Sequence, residues 1–293
     1  MPAPSVAVVT DSTASLDPEL AAERGLTVVP LQVVIGADAY DEGSAEATPE
    51  RLAEALKEFR PVSTSRPAPA VFLETYRAAA AAGAEEVVSV HLSGEMSGTF
   101  ESAQLAARQA RNEGLRVECV DTRQVGVATG YAALSAADVA DAGGSAAEAA
   151  EAAAARAAAS SSYFYVDTLE YLRRGGRIGA AAALLGGALA VKPLLTIEDG
   201  VVSSLERVRT SGRALARLGD LAVAAAEEAE GPVEVCVAHL ASPERAGQLA
   251  DQLAERLAEQ LDGREVWCTE IGAVLGAHVG PGMIAASVAP ILR

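Results

Sequence analysis

The stretch EEVVSVHLSGEMSGTFESAQLAARQARN, residues 85–112, decides the fold. Its opening run is short and Val-rich, and it reads as a buried strand through EEVVSVHL. Two Ser-Gly pairs then turn the chain at 93–99. Ala and Leu at helical spacing predict a helix over 100–112. The same succession repeats on both sides. Upstream, SVAVVTDS is a strand, and Asp17 caps a helix that starts at Pro18 and stops at Gly25. LTVVPLQVVI (26–35) reads as a second strand. Thr48-Pro49 opens a helix to about residue 59, RPVSTSRPAP (60–69) is a proline-punctuated loop, and a helix over 70–82 ends at Gly83. Downstream, LRVECVDT is a strand, a helix over 125–142 follows, and Ser145 with Glu148 forms a capping box for one more Ala-rich helix. Short apolar strands alternating with helices predict a mostly parallel sheet with helices on both faces. Ligands bind such sheets at the carboxyl ends of the strands. The loops of interest are therefore TDST (10–13), STSRP (63–67), SGEMSGT (93–99) and DTRQ (121–124).

The second half has a different pattern. SYFYVDT (162–168) is a strand, LEYLRR (169–174) a short helix, and IGAAAALLGGALAV (178–191) a buried pair of helices interrupted at Gly186-Gly187. KPLLTIEDGVVSSLERV (192–208) reads as a hairpin with Asp199-Gly200 at its turn. A helix over 211–228, the strand PVEVCVAH, a helix over 243–261 and the strand REVWCTEI follow. GAVLGAHVGPGMIAASVA (272–289) is glycine-rich and then helical. The expected architecture is an α/β chain of two lobes, 1–160 and 161–293, and 293 residues suffice for both cores.

Half of the residues are hydrophobic and the formal charge is −17. Such a surface repels a phosphate backbone and gives no electrostatic hold on anionic lipid, so neither nucleic acid nor stable membrane insertion is expected. The start of the sequence has no basic region followed by an apolar one, and no apolar run reaches the ~18 residues of a spanning helix. The three cysteines, Cys119, Cys236 and Cys268, each lie in a strand-like run and form no CxxC pair. They are read as buried structural thiols in a reducing cytoplasm.

Several chemistries are missing. TDSTAS stands where a GxGxxG dinucleotide loop would be, and there is no Walker loop and no GxSxG elbow. His91, His239 and His278 are far apart in sequence and make no metal-ligand pair, so no metal and no cofactor are expected. Asp11 and Asp121, each just after a strand, read as loop caps rather than as acid–base groups.

SGEMSGT carries the chemistry that remains. Its glycines let backbone approach a ligand, the helix start offers unpaired N–H groups, and Ser93, Ser97 and Thr99 add hydroxyls. That composition fits a single carboxylate or phosphate; it equally fits a serine that merely caps a helix. Ser63, Thr64 and Ser65 form a second hydroxyl cluster at the same expected sheet edge. Two hydroxyl loops without a cationic clamp leave most of the affinity to apolar contact.

VAVVTDSTASL (6–16), STSRPAPAVF (63–72), SVHLSGEMSGTFESA (89–103), DTRQVGVATGY (121–131), YFYVDTLEYLRRGGRIG (163–179), VKPLLTIEDG (191–200), RVRT (207–210) and IGAVLGAHVGPG (271–282) occur in that order. In these stretches the chain resembles the DegV family of bacterial fatty-acid-binding proteins, over nearly its whole length. The resemblance implies two α/β lobes with a long-chain fatty acid between them, the C-terminal lobe closing over the lipid tail. It implies a carboxylate held by Thr64 and Ser97, with Ser65 and Ser93 as their neighbours and His278 near the head group. It also implies a fatty-acid kinase as partner, which converts the presented acid to an acyl phosphate for phospholipid synthesis, while the carrier itself catalyses nothing. Two positions depart from the family pattern: Arg66 replaces a usual glutamine, and Glu95-Met96 replaces residues of the usual Ser-Gly loop. An acid at 95 weakens carboxylate binding if it faces the site, and Arg66 offsets it.

Burying a C16–C18 tail at ~0.8 kcal/mol per methylene contributes roughly 12 kcal/mol gross, of which chain ordering takes back several. Residues 178–191 could line the tail or be a close-packed helix pair. Arg173, Arg174 and Arg177, with Arg207 and Arg209, stand out in an acidic chain. Arg174, Arg177 and Arg209 read either as contacts for the kinase or acyl-phosphate head, or as helix-end charges. Two other functions compete: a hydrolase using Ser97 with His278, which needs a third orienting group, and a sensor or scaffold for another small anion.

Overall fold

The computed structural model describes residues 5–184 and 192–292. In chain order the elements begin with β1 (Val6–Asp11), α1 (Pro18–Glu23), β2 (Leu26–Val29), β3 (Gln32–Ile35), β4 (Asp38–Asp41), α2 (Pro49–Lys57) and β5 (Val62–Ser65). Then come α3 (Pro69–Ala81), β6 (Glu86–His91), α4 (Thr99–Asn112), β7 (Arg116–Asp121), α5 (Val127–Asp141), α6 (Ala146–Ala159), β8 (Ser161–Tyr165) and α7 (Glu170–Arg174). The remainder is β9 (Lys192–Glu198), β10 (Val201–Val208), α8 (Ser211–Glu227), β11 (Val233–His239), α9 (Pro243–Arg256), α10 (Ala258–Leu261), β12 (Trp267–Glu270), α11 (Ala273–Val279) and β13 (Ile284–Pro290).

These elements form two compact units, one of residues 1–32 and 65–158, the other of residues 33–64 and 159–293. The first is built on a four-stranded sheet of order β2-β1-β6-β7. All three pairings are parallel. Val9, Val87 and Val117 point to one face, where Phe72, Leu73 and Tyr76 of α3 and Ala103, Ala106 and Ala110 of α4 cover them. Val8 and Val88, one residue out of phase, are also buried, and α5 packs on β1 and β6. Strands buried on both faces are what the Val-rich runs without polar alternation require.

The second unit contains a six-stranded sheet of order β10-β9-β8-β13-β11-β12. Every pairing is antiparallel except β11 with β12. Leu218 and Ala222 of α8 and Leu249 and Leu253 of α9 close one face of it over Val235, Val237, Ala286 and Val288. A three-stranded sheet of order β4-β3-β5, with α2, completes the unit.

Several expectations are corrected. LTVVPLQVVI is two strands in two sheets, because Pro30 has no N–H for a ladder and breaks the run. The stretch 60–69 is not loop throughout, since Val62–Ser65 pairs as β5. The single cut at 160 differs from the observed clustering, in which 33–64 join the second unit. The helix expected over 243–261 breaks at Leu257. The glycine-rich stretch from 272 has the reverse order: helix α11 comes first, Gly280 and Gly282 at φ 75° and 90° end it, and the expected helix is strand β13. Its small residues suit a strand flanked on both sides by β8 and β11. Of the expected helix pair at 178–191, Gly179–Leu184 is a 3-10 helix and 185–191 lie outside the described residues. Cys236 is buried, Cys119 is half-buried and Cys268 is exposed, so the third is no core thiol.

Candidate functional site

Strand β5 alternates outward and inward, which turns Thr64 inward and leaves Ser63 and Ser65 exposed. Thr64 Oγ1 lies 2.9 Å from Nε2 of His278. His278 sits in the last turn of α11. The imidazole packs so closely on Gly175 that a Cβ there would fall 2.2 Å from Nδ1. Burial, with the nearby Arg177 charge, pushes the imidazole pKa down to about 4, so the ring is neutral at physiological pH. Nδ1 is buried and has no hydrogen-bond partner among the described residues. Orphaned buried N–H groups are rarer than orphaned acceptors. We therefore assign the proton to Nε2, which donates to Thr64 Oγ1 and leaves the threonine O–H free to donate onward.

Thr64 and His278 line a cavity of about 370 Å³ together with Arg60, Arg174, Arg177 and Tyr171. That is the volume of roughly a dozen waters, more than one carboxylate fills. Arg174 Nε bonds Glu170 Oε1 at 2.7 Å, and Arg177 Nη1 bonds the Gly175 carbonyl at 2.7 Å. Hydrogen bonds from Arg173 and Arg174 hold the Glu170 carboxyl down to about 2. Arg209 is exposed beyond the end of β10 and is not among the residues lining the cavity. Arg60, which the sequence did not single out, forms no ion pair among the described residues.

The SGEMSGT loop belongs to the first unit and is held by backbone bonds. Leu92 N donates to Asp11 Oδ2 at 3.2 Å, Ser93 N to the Gln124 carbonyl at 2.8 Å, and Gly94 N to Asp121 Oδ1 at 3.1 Å. Ser93 is fully buried, and its Oγ accepts from Glu95 N. Ser97 is half-buried, with its Oγ 2.9 Å from Thr99 Oγ1 and accepting from Thr99 N. Ser65 Oγ turns to the Arg66 carbonyl. Glu95 is exposed, and Arg66 reaches Glu101 at 2.8 Å and the Gly98 carbonyl at 3.1 Å.

A Ser–His–Asp chain that sequence reasoning missed lies elsewhere. His91 Nδ1 is 2.9 Å from Asp11 Oδ2, Nε2 is 2.7 Å from Ser89 Oγ, and Tyr76 Oη donates to that oxygen at 2.9 Å. All four side chains are fully buried, so no substrate reaches Ser89. The signal was readable: Ser89 and His91 share one face of β6, and Thr10↔Val90 pairing puts Asp11 level with His91. At His278, by contrast, no carboxylate pairs with Nδ1, so the third group of a hydrolytic set is missing among the described residues. Those residues also hold no His/Cys/Asp/Glu cluster fit for a metal ion, and no helix among them is long and apolar enough to cross a membrane.

A family model described as "Uncharacterised protein, DegV family" matches residues 5–290. A DegV domain-containing protein of Streptomyces coelicolor is 51% identical over 280 residues, covering 95% of this chain and 96% of its own. Among solved structures, one described as "Fatty Acid Binding of a DegV family Protein from Thermus thermophilus" superposes with a TM-score of 0.89 at 32% identity. The match covers 98% of this chain and 99% of that one. "DegV, a fatty acid binding protein from Bacillus subtilis" gives 0.87 at 30% identity with the same coverage.

Proposed function

The chain belongs to the DegV family, and on that premise we propose that it binds one long-chain fatty acid and presents the carboxylate to a fatty-acid kinase. The observation that carries this reading is the Thr64–His278 pair at a cavity wall. A neutral imidazole donating to Thr64 Oγ1 turns the hydroxyl outward as a donor, which a carboxylate accepts and a neutral ester accepts less well. Ser97 supplies the second hydroxyl, exchanging its bond to Thr99 for one to the ligand. Ser65 and Ser93 shape the two turns; their own bonds to backbone support that supporting role. Fatty-acid binding described for the Thermus and Bacillus relatives supports the ligand class. In this reading Arg174 and Arg177, which line the same cavity as Thr64, meet added negative charge on the head group, and the exposed Arg209 meets the kinase. The carrier contributes no catalytic group of its own.

The test is mass spectrometry of the organic extract from purified protein, wild type against a Thr64→Ala/Ser97→Ala double variant. Near-stoichiometric long-chain fatty acid in wild type and its loss in the variant is the expected result. Equal lipid in both would remove Thr64 and Ser97 from the head-group site. A second reading, a sensor or scaffold for another small anion, is favoured by the three arginines of the cavity. It would take first place if wild type holds no lipid and takes none up.

A further inference from the structure

Helix α11 starts without a cap of its own: Gly272 precedes it in extended conformation and has no side chain to offer. The missing acceptor comes from Glu42, in the turn after β4, whose Oε1 accepts from Val274 N at 2.7 Å. The fit depends on the glycine, because a Cβ at Gly272 would lie 2.2 Å from that oxygen. One turn further on, a Cβ at Gly276 would lie 2.5 Å from Leu52 Cδ2 of α2. The start and the middle of α11 are thus clamped by two residues of the segment 33–64. That same segment ends on Thr64, whose hydroxyl meets His278 in the last turn of α11.

A helix advances about 1.5 Å per residue, so a slip of one residue along its axis is enough to break a hydrogen bond. A carboxylate on the first-turn N–H groups also sits where the helix dipole favours negative charge. We infer that Glu42 is a positioning residue of the head-group site: it fixes the axial setting of α11, and through it the Thr64–His278 bond that frees the threonine O–H. This rests on the proposed role of Thr64 as carboxylate donor.

The experiment compares the full chain with Glu42→Ala, Glu42→Gln, Gly272→Ala, Thr64→Ala and Glu42→Ala/Thr64→Ala. It measures palmitate affinity and the ring nitrogen resonances of His278, with His91 and His239 as internal controls. Glu42→Ala should weaken palmitate binding about tenfold, on the scale of a lost charged cap, and shift the His278 resonances alone. Glu42→Gln retains an acceptor oxygen and should restore both. Gly272→Ala displaces the carboxylate without removing it and should reproduce Glu42→Ala, which covers the case in which that variant folds poorly. In the double variant, losing Glu42 should cost nothing beyond Thr64→Ala. Unchanged His278 resonances in Glu42→Ala and Gly272→Ala, or losses that add in the double variant, would overturn the inference. If wild type itself binds no palmitate, the fatty-acid reading fails, and the His278 resonances alone still decide whether Glu42 sets that ring.

Discussion

His278 illustrates how one residue's surroundings fix its chemistry. Its pKa falls from the ordinary 6.5 to about 4 because burial, and then the Arg177 charge, oppose a second proton. In the folded chain the ring stays neutral where the unfolded chain protonates. Stability present above about pH 6.5 is therefore lost as pH falls toward about 4, the window between the two pKa values. His278→Gln retains an N–H for Thr64 but cannot titrate. Urea midpoints followed across that window should fall less steeply for the variant than for wild type; parallel curves would mean that another group carries the acid limb. Thr64, Ser97 and His278 were nameable as candidates because they stand inside recognisable motifs. Glu42 was not, being one of 40 acidic residues in a polar turn, with its partner N–H more than 200 positions away. Arg60 was hidden for a related reason: its place in the cavity wall comes from the pairing of β5, a strand that polarity and prolines disguise as loop.

At the scale of elements, the first unit was readable because its strands are short and Val-rich and the helices between them are rich in Ala. Each local signal there agrees with the tertiary outcome. The misreadings share a cause. Pro30 interrupts a run whose hydropathy is continuous, and the middle of β13, residues 285–289, is Ala, Ser and Val, residues compatible with helix until neighbouring strands claim them. The buried Asp11 chain shows what joins elements once they form. Its carboxylate accepts from Thr13 N, Thr13 Oγ1, His91 Nδ1 and Leu92 N, tying the ends of β1 and β6 to the loop that carries Ser97. Asp11→Ala would strand those donors in a dry interior and should cost about 3 kcal/mol or more. Denaturant unfolding measures this directly, and a loss below about 1 kcal/mol, the usual scale for a surface site, would show that water replaces the carboxylate.

At the scale of the whole molecule, neither unit is a continuous piece of chain: residues 33–64 leave the first unit to serve the second. A reading that moves along the sequence assigns neighbours to neighbours, which is why a single cut was expected. The order of the six-stranded sheet has a further consequence, for biosynthesis. β13 is the last of the six in chain order, yet it lies between β8 and β11. While a ribosome is still making β12, the first unit has all its segments, but the second has a gap at the middle of its sheet, with two strand edges waiting for one partner. Thr64 emerges long before the helix that will pair with it, so no nascent chain holds the Thr64–His278 contact early. Protease challenge of stalled chains ending near residue 160 and near residue 270 should therefore find the first unit protected in both and the second protected in neither; protection of the second unit at the later stall would mean that β8 and β11 close on each other first and β13 must part them.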